Sequence, residues 1–397
     1  MKGNLLLIHG GGPTAVLNAS LYGAVKEARR HQEVGYIYGA RNGTGGVLRE
    51  EFLDLTEVSE ERLKLLLKTP GSAIGTSRDI LNAEAYEKMA EIVRKHRIRW
   101  VLFNGGNGTM DACGKFCQAC EEKRISVQVM GIPKTMDNDI AVTDHSPGYG
   151  SAARYLAQSV REVCADVQSL PIHVVVVEAL GRNAGWVTAA ASLAGDEGME
   201  GPDLIYLPEQ PFEEKRYLED VSRILKRKTG LVVVASEGLK DREGNPIVDP
   251  VFQIGRSTYF GDVSSHLANL VIKKLGYKAR SEKPGLLGRA SVLLQSPVDC
   301  QEAILAGELA CKAVFAGESK KMVAFSRKTT DPYVMEPFMA DIREVMIRER
   351  KLPREFLMPE GNGVTEEFRR WCRPLLGGPL DSMISFTDNL HMPGGLK

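Results

Sequence analysis

The segment from Gly131 to Ile140 reads GIPKTMDNDI, with Lys134, Thr135, Asp137 and Asp139 crowded behind a proline. Phosphoryl transfer to an alcohol needs these residue types in one place. The attacking hydroxyl must lose its proton, which requires a carboxylate base within hydrogen-bond reach. A divalent cation needs hard oxygen ligands, which carboxylates and amides supply. A lysine neutralises charge that builds on the transferred group and on the leaving phosphate. An isolated loop of this composition is ordinarily just solvated, because polar, proline-containing stretches are mostly loops. The surrounding elements decide between the two readings.

Short apolar runs recur along the chain: LLLI (Leu5–Ile8), WVLF (Trp100–Phe103), VQVM (Val127–Met130), HVVVV (His173–Val177) and LVVV (Leu231–Val234). Continuous β-branched and aliphatic runs of this length are the pattern of strands buried on both faces, as in a parallel sheet covered by helices. Helix-period segments follow them, which predicts an α/β protein of the doubly wound type. Such sheets bind ligands outside the carboxyl ends of their strands. A polar or glycine motif follows each run: Gly10, Gly11 and Gly12; Gly105, Gly106 and Gly108; Lys134 to Asp139; Gly181 and Arg182; and Glu237. One edge of the fold is therefore expected to collect them.

Glycine turns from strand into helix let backbone N–H groups approach phosphate oxygens, and the helix N-terminus adds partial positive charge. Taken alone they are equally tight-turn glycines. Neither glycine loop is a GxxxxGK[ST] phosphate loop, and neither fits GxGxxG with a downstream acid, which argues against a nicotinamide cofactor.

The 397 residues suffice for a large core and for two domains, with 43% hydrophobic and 26% charged residues typical of a globular chain. Lys+Arg 51 balances Asp+Glu 51, so general attraction to nucleic acid or anionic membrane is not expected. The apolar run near the start is too short for a signal peptide, and no stretch approaches a membrane span. Seven cysteines, an odd number, suit reduced thiols and a cytoplasmic setting. Cys113, Cys117 and Cys120 have the spacing of one helix face without a second metal-type pair, and are read as core residues.

The ordered motifs GGNGT, GIPKTMDND, TDHSPGYGSAARY, EALGRNAGW and SEGL resemble the phosphofructokinase family, especially its pyrophosphate-dependent branch, over roughly residues 3 to 315. The resemblance implies two doubly wound, Rossmann-like lobes with the active site in the cleft between them. Residues 1–143 plus about 287–325 would bind the donor, about 144–286 the sugar phosphate, and about 326–397 would form a C-terminal extension packed on the lobes. It implies that Asp137 deprotonates the C1 hydroxyl of fructose 6-phosphate, beside Lys134, Thr135 and Asp139. Gly11, Arg78, Gly108 and Lys134 would meet the donor. Thr135, Met136, Asp137, Leu180, Gly181, Arg182, Glu237, Arg280 and Arg289 would hold the sugar phosphate, the two arginines as a pair on the 6-phosphate. Mg²⁺ is the implied cofactor, with Asn107 at the metal position. A homodimer or homotetramer with shared sites is the implied assembly.

Several positions depart from the family's patterns. Lys134 is the residue of the pyrophosphate-using pattern, whereas Gly108 leaves open a space that an aspartate fills in that branch, and so favours ATP. Asn107 replaces the metal-binding aspartate, Leu286 replaces a histidine, and His173 replaces an arginine that reaches into the neighbouring subunit's site. His173 is equally an ordinary residue at a strand start. Pyrophosphate is the expected donor and ATP the alternative. A non-catalytic sugar-phosphate sensor is the rival of a different class, and the NAD and lipid kinases, which share a GGDGT-like loop, lack the later motifs.

Overall fold

A computed structural model describes residues 2–170, 173–196, 198–254, 257–346 and 348–384. In chain order the strands are β1 (Gly3–His9), β2 (Val34–Ala40), β3 (Phe52–Asp54), β4 (Ile98–Gly105), β5 (Gln128–Pro133), β6 (Val174–Ala179) and β7 (Leu204–Tyr206). They continue as β8 (Leu231–Ser236), β9 (Pro250–Ile254), β10 (Ser257–Phe260), β11 (Ala279–Glu282), β12 (Lys321–Thr329) and β13 (Val334–Asp341). The five apolar runs coincide with β1, β4, β5, β6 and β8.

Two compact units form. The first holds the chain up to Ala152, Arg289–Arg350 and Pro374–Gly378. Its sheet has the order β13-β12-β5-β4-β1-β2-β3, parallel from β12 to β2 and closed at each edge by an antiparallel strand. Alternation along β1 sends Leu6 and Ile8 into one core with Val101, Phe103 and Met110. Leu5 and Leu7 enter the other with Leu102, Met130 and Ala306. Both faces are thus buried, as uninterrupted aliphatic runs require. Cys113, Cys117 and Cys120 pack in the first of these cores, on the helix Asn107–Glu122. From β1 the chain passes through the helix Leu17–Ala28 to β2 on one side, while β4 flanks β1 on the other. The strand order reverses at β1, and a reversal of this kind opens a crevice at the carboxyl ends.

The second unit holds Ala153–Gly288, Lys351–Arg373 and the described residues from Pro379 onward. Its sheet is all parallel, in the order β11-β6-β8-β7, and β9 and β10 form a separate antiparallel ribbon.

The first unit's main stretches end at Ala152 and resume at Arg289. The described residues after 325 are divided between the two units. The β12–β13 hairpin joins the first sheet through β5. In the second unit Phe356, Phe368 and Trp371 cluster with Trp186, whose ring lies 4.9 Å from that of Trp371. Among the described residues, no helix is long and apolar enough to cross a membrane.

Candidate active site

In the first unit β1, β4 and β5 are neighbours in register, His9 beside Asn104 and Gly105 beside Pro133. Their loops are tied together at the carboxyl ends. The Gly10 N–H donates to the Asn104 carbonyl at 3.0 Å, and the Lys134 N–H donates to the Gly105 carbonyl at 3.0 Å. A cavity of about 430 Å³ opens over them, lined by Gly10–Gly12, Arg78, Gly106–Thr109, Lys134–Asp137, Asp139 and Arg289.

The Gly11 N–H is used internally, donating to the Ser77 carbonyl at 2.8 Å. Gly11 has φ +76°, and a Cβ there would stand 3.7 Å from Lys134 Nζ. Gly11 therefore contributes a left-handed turn and space in front of the lysine. A Cβ on Gly12 would lie 2.8 Å from Arg289 Nη1 and 3.2 Å from Arg78 Nη2, so two guanidinium groups converge above that residue. Two such forks suit a phosphate dianion. The helix Asn107–Glu122 begins at the cavity, which adds the positive end of its dipole. A Cβ on Gly108 would meet nothing within 4 Å, so the cavity is open there.

Lys134 is buried, and its Nζ donates to the Gly10 carbonyl at 3.2 Å and to the Gly12 carbonyl. Burial pushes its ammonium down to about 7; Asp137 opposes that shift, and Arg289 and Arg78 add to it. At neutral pH the lysine is thus poised between charged and neutral forms, a perturbation common at functional sites. His9, at the end of β1, is pushed by burial and then by Lys134 down to about 3. The neutral His9 ring pairs with Ser72 Oγ at 2.7 Å and brings no charge to the site.

The Thr135–Asp139 turn is fixed by short bonds. The Asp137 N–H donates to Thr135 Oγ1 at 3.1 Å. Asn138 adopts φ +51°, a conformation asparagine tolerates, and its Oδ1 accepts from the Ser146 N–H at 3.0 Å. Asp139 receives Asn107 Nδ2 on Oδ2 at 2.8 Å, and burial raises its carboxyl above the usual range. Asn107 Oδ1 and Asp139 Oδ1 are buried without a hydrogen-bond partner. Two unpaired hard oxygens on hydrogen-bonded neighbours fit Mg²⁺ as partial ligands. The described residues contain no group of three or more His, Cys, Asp or Glu able to hold a metal. Phosphate oxygens and water would have to complete its shell.

In the second unit β6 and β8 end together, Ala179 beside Ser236. The Gly181 N–H donates to Glu237 Oε1 at 3.2 Å, and Ser236 Oγ donates to the Gly181 carbonyl at 2.7 Å. Arg182 follows, exposed, its Nη1 donating to the Thr258 carbonyl at 3.2 Å and its guanidinium 5.6 Å from the Phe260 ring. Leu180, Gly181, Arg182 and Glu237 are thus assembled at one sheet edge. Arg280 is not with them. It stands opposite Val175, near the start of β6, in a groove with Tyr277, whose ring is 5.6 Å from that of His173. Leu286 is 66% exposed. Arg289 belongs to the first unit and lines its cavity, whereas Arg280 belongs to the second.

His9, Thr44, Ser77, Asp79 and Thr109 also line the cavity but do not stand out in the sequence. Asp79 takes the Thr44 hydroxyl at 2.8 Å and the Gly45 N–H at 2.7 Å, which holds the loop carrying Arg78. The immediate adjacency of Ser77 and Asp79 to Arg78 was the only signal available for them.

A cavity at a strand-order reversal, lined by glycines, cations and carboxylates, suits phosphoryl transfer. The phosphofructokinase family profile matches residues 4–316, and the chain belongs to that family. It is 38% identical to a pyrophosphate–fructose 6-phosphate 1-phosphotransferase of Xanthomonas campestris, over 95% of this chain and 92% of the relative. It is 36% identical to a sulfofructose kinase of Alkalicoccus urumqiensis, over 82% and 84%. The crystal structure of a pyrophosphate-dependent phosphofructokinase from Nitrosospira multiformis matches with TM-score 0.88 and 32% identity, covering 99% of this chain and 98% of that one.

Proposed function

We propose that this protein transfers a phosphoryl group from pyrophosphate to the C1 hydroxyl of fructose 6-phosphate, reversibly, at the step shared by glycolysis and gluconeogenesis. The observation that carries this reading is Lys134, a buried ammonium among two guanidinium groups and a helix N-terminus. Pyrophosphate has no ribose or base to grip, so charge and hydrogen bonds must supply its binding. The names of the relatives at 34–38% identity over nearly the whole chain support the same donor.

Asp137 takes the proton of the C1 hydroxyl while its oxygen attacks the terminal phosphorus and the bridging P–O bond breaks. The departing phosphate stays with Lys134, and Arg78 and Arg289 hold the group in transfer. Asn107 and Asp139 would hold Mg²⁺ through their unpaired oxygens, and the charge it supplies would offset that of the phosphates. Thr135, Met136, Leu180, Gly181, Arg182 and Glu237 serve the sugar phosphate. Arg280 pairs with Val175, near the start of β6, and Gly181 follows the far end of that strand. We therefore assign Arg280 and His173 to the site of a second copy, which makes a homodimer or homotetramer the working assembly. Seven free cysteines are in keeping with a cytoplasmic enzyme.

ATP is the second reading, and the open space at Gly108 favours it. Initial rates with pyrophosphate and with ATP, each on fructose 6-phosphate, separate the two.

A further inference from the structure

The TDHSPGYG segment contains a histidine that no role above uses. His145 is buried between two carboxylates, Nδ1 at 2.8 Å from Asp144 Oδ2 and Nε2 at 2.6 Å from Glu302 Oε2. A second layer holds the carboxylates. The Tyr333 hydroxyl donates to Glu302 Oε1 at 2.7 Å, and Arg327 Nη2 donates to Asp144 Oδ2 at 3.0 Å. Phe325 stacks on the ring at 5.4 Å, and Arg350 donates to the Asp144 carbonyl. Burial pushes the imidazole down, but the charge of Glu302 and the hydrogen bonds to Asp144 and Glu302 outweigh it and raise it to about 9. The ring therefore donates from both nitrogens at neutral pH.

The backbone on either side is stitched in opposite directions. Upstream, the Asp144 N–H donates to the Phe325 carbonyl at 2.8 Å, and the Phe325 N–H donates to Thr143 Oγ1 at 2.9 Å. Downstream, the Ser146 N–H donates to Asn138 Oδ1 at 3.0 Å, and the Pro147 carbonyl accepts the Thr135 N–H at 3.1 Å. Thr135 stands two residues before Asp137 and Asn138 directly after it. The clamped histidine thus sits one residue from the strut behind the carboxylate, and Arg327 and Tyr333 belong to the hairpin that follows the main motifs. A buried ion cluster retained only for stability is a poor explanation, because such clusters are often neutral or unfavourable relative to apolar packing.

We propose that His145, clamped by Asp144 and Glu302, is a positioning residue that holds Asp137 through Ser146 and Pro147. The proposal rests on the reading of Asp137 as the base. It also gives the β12–β13 hairpin a task as the outer brace of the catalytic turn.

Hydrogen–deuterium exchange by mass spectrometry tests it, over peptides spanning 134–150, with steady-state kinetics on fructose 6-phosphate and pyrophosphate in parallel. His145→Gln, well below its unfolding temperature, is expected to speed exchange in this segment about ten-fold or more. It should lower kcat by about ten-fold or more and leave the pyrophosphate KM within about three-fold, the split of a group that acts on the transition state. Unchanged exchange in folded His145→Gln overturns the proposal, and so does faster exchange with wild-type kcat. If His145→Gln does not fold, Tyr333→Phe decides, since it removes only the outer hydrogen bond to Glu302. Faster exchange in the same segment with reduced kcat supports the brace; wild-type values for either overturn it. A wild-type protein with no turnover refutes the proposed function, and the exchange measurement still judges the coupling.

Discussion

Asn107 donates its Nδ2 to Asp139 Oδ2 at 2.8 Å, and Asn107 Oδ1 and Asp139 Oδ1 are both buried and unpaired. An amide here satisfies half of a buried carboxylate without adding a second negative charge. Replacing it removes that relief. Asn107→Asp should set two carboxylates in contact, which forces one to take a proton unless a cation is present. The expected result is a lower melting temperature in EDTA, recovery with Mg²⁺, and half-maximal activity at roughly ten-fold less Mg²⁺. An EDTA melting curve identical to that of the wild type contradicts this account of the pair.

Lys134 should set the pH dependence of donor use. The free enzyme carries the charged lysine below about 7, so kcat/KM for pyrophosphate should fall with rising pH through that value. Lys134→Gly should lower kcat/KM at least about a hundred-fold, roughly 2.7 kcal/mol.

The same burial has an opposite effect on stability. The unfolded lysine keeps its proton to about 10.5 and the folded one releases it near 7, so this group makes stability rise with pH between those values. Lys134→Met should therefore raise the melting temperature more at pH 6 than at pH 9 while abolishing pyrophosphate turnover. A melting temperature lower than wild type at pH 6 would show that the lysine stabilises the fold.

Asp137→Ser should lower kcat by roughly two to four orders of magnitude with little change in pyrophosphate binding. Wild-type kcat in this variant, measured by coupled assay, rules out Asp137 as the base.

Arg280→Ala should raise the KM for fructose 6-phosphate about ten-fold or more, the scale of a charged hydrogen bond. Fructose, which has no 6-phosphate, should be unaffected by the change. If the site is shared between copies, mixing Arg280→Ala with Asp137→Ser chains under subunit exchange should produce active sites with the wild-type KM for fructose 6-phosphate, and a rate at low fructose 6-phosphate above the sum of the two variants. No recovery in a verified hetero-oligomer counts against sharing.

The strands that were legible in the sequence are those whose two faces are both buried, such as β1 and β6, since only continuous aliphatic runs satisfy two cores. Edge strands escaped. β11, with the sequence ARSE, is mostly exposed, and its identity comes from pairing with β6 alone. Lys134, Asp137, Asn107 and Gly108 could be grouped because each follows such a run. The arginines could not, because a long side chain's destination depends on the tertiary path of its backbone, and Arg78 and Arg289 meet above Gly12 from distant stretches of the chain. The His145–Glu302 contact joins residues 157 positions apart, and no local pattern announces it.

The central claim is that a buried lysine selects pyrophosphate although the cavity is open at Gly108. The most direct measurement is the initial rate of fructose 1,6-bisphosphate formation by the wild-type protein with Mg²⁺, fructose 6-phosphate, and either pyrophosphate or ATP at equal concentration. The account predicts a pyrophosphate rate about a hundred-fold or more above the ATP rate, with residual ATP turnover reduced further by Gly108→Asp. An ATP rate equal to or above the pyrophosphate rate would contradict it and make Gly108 the determinant of donor choice.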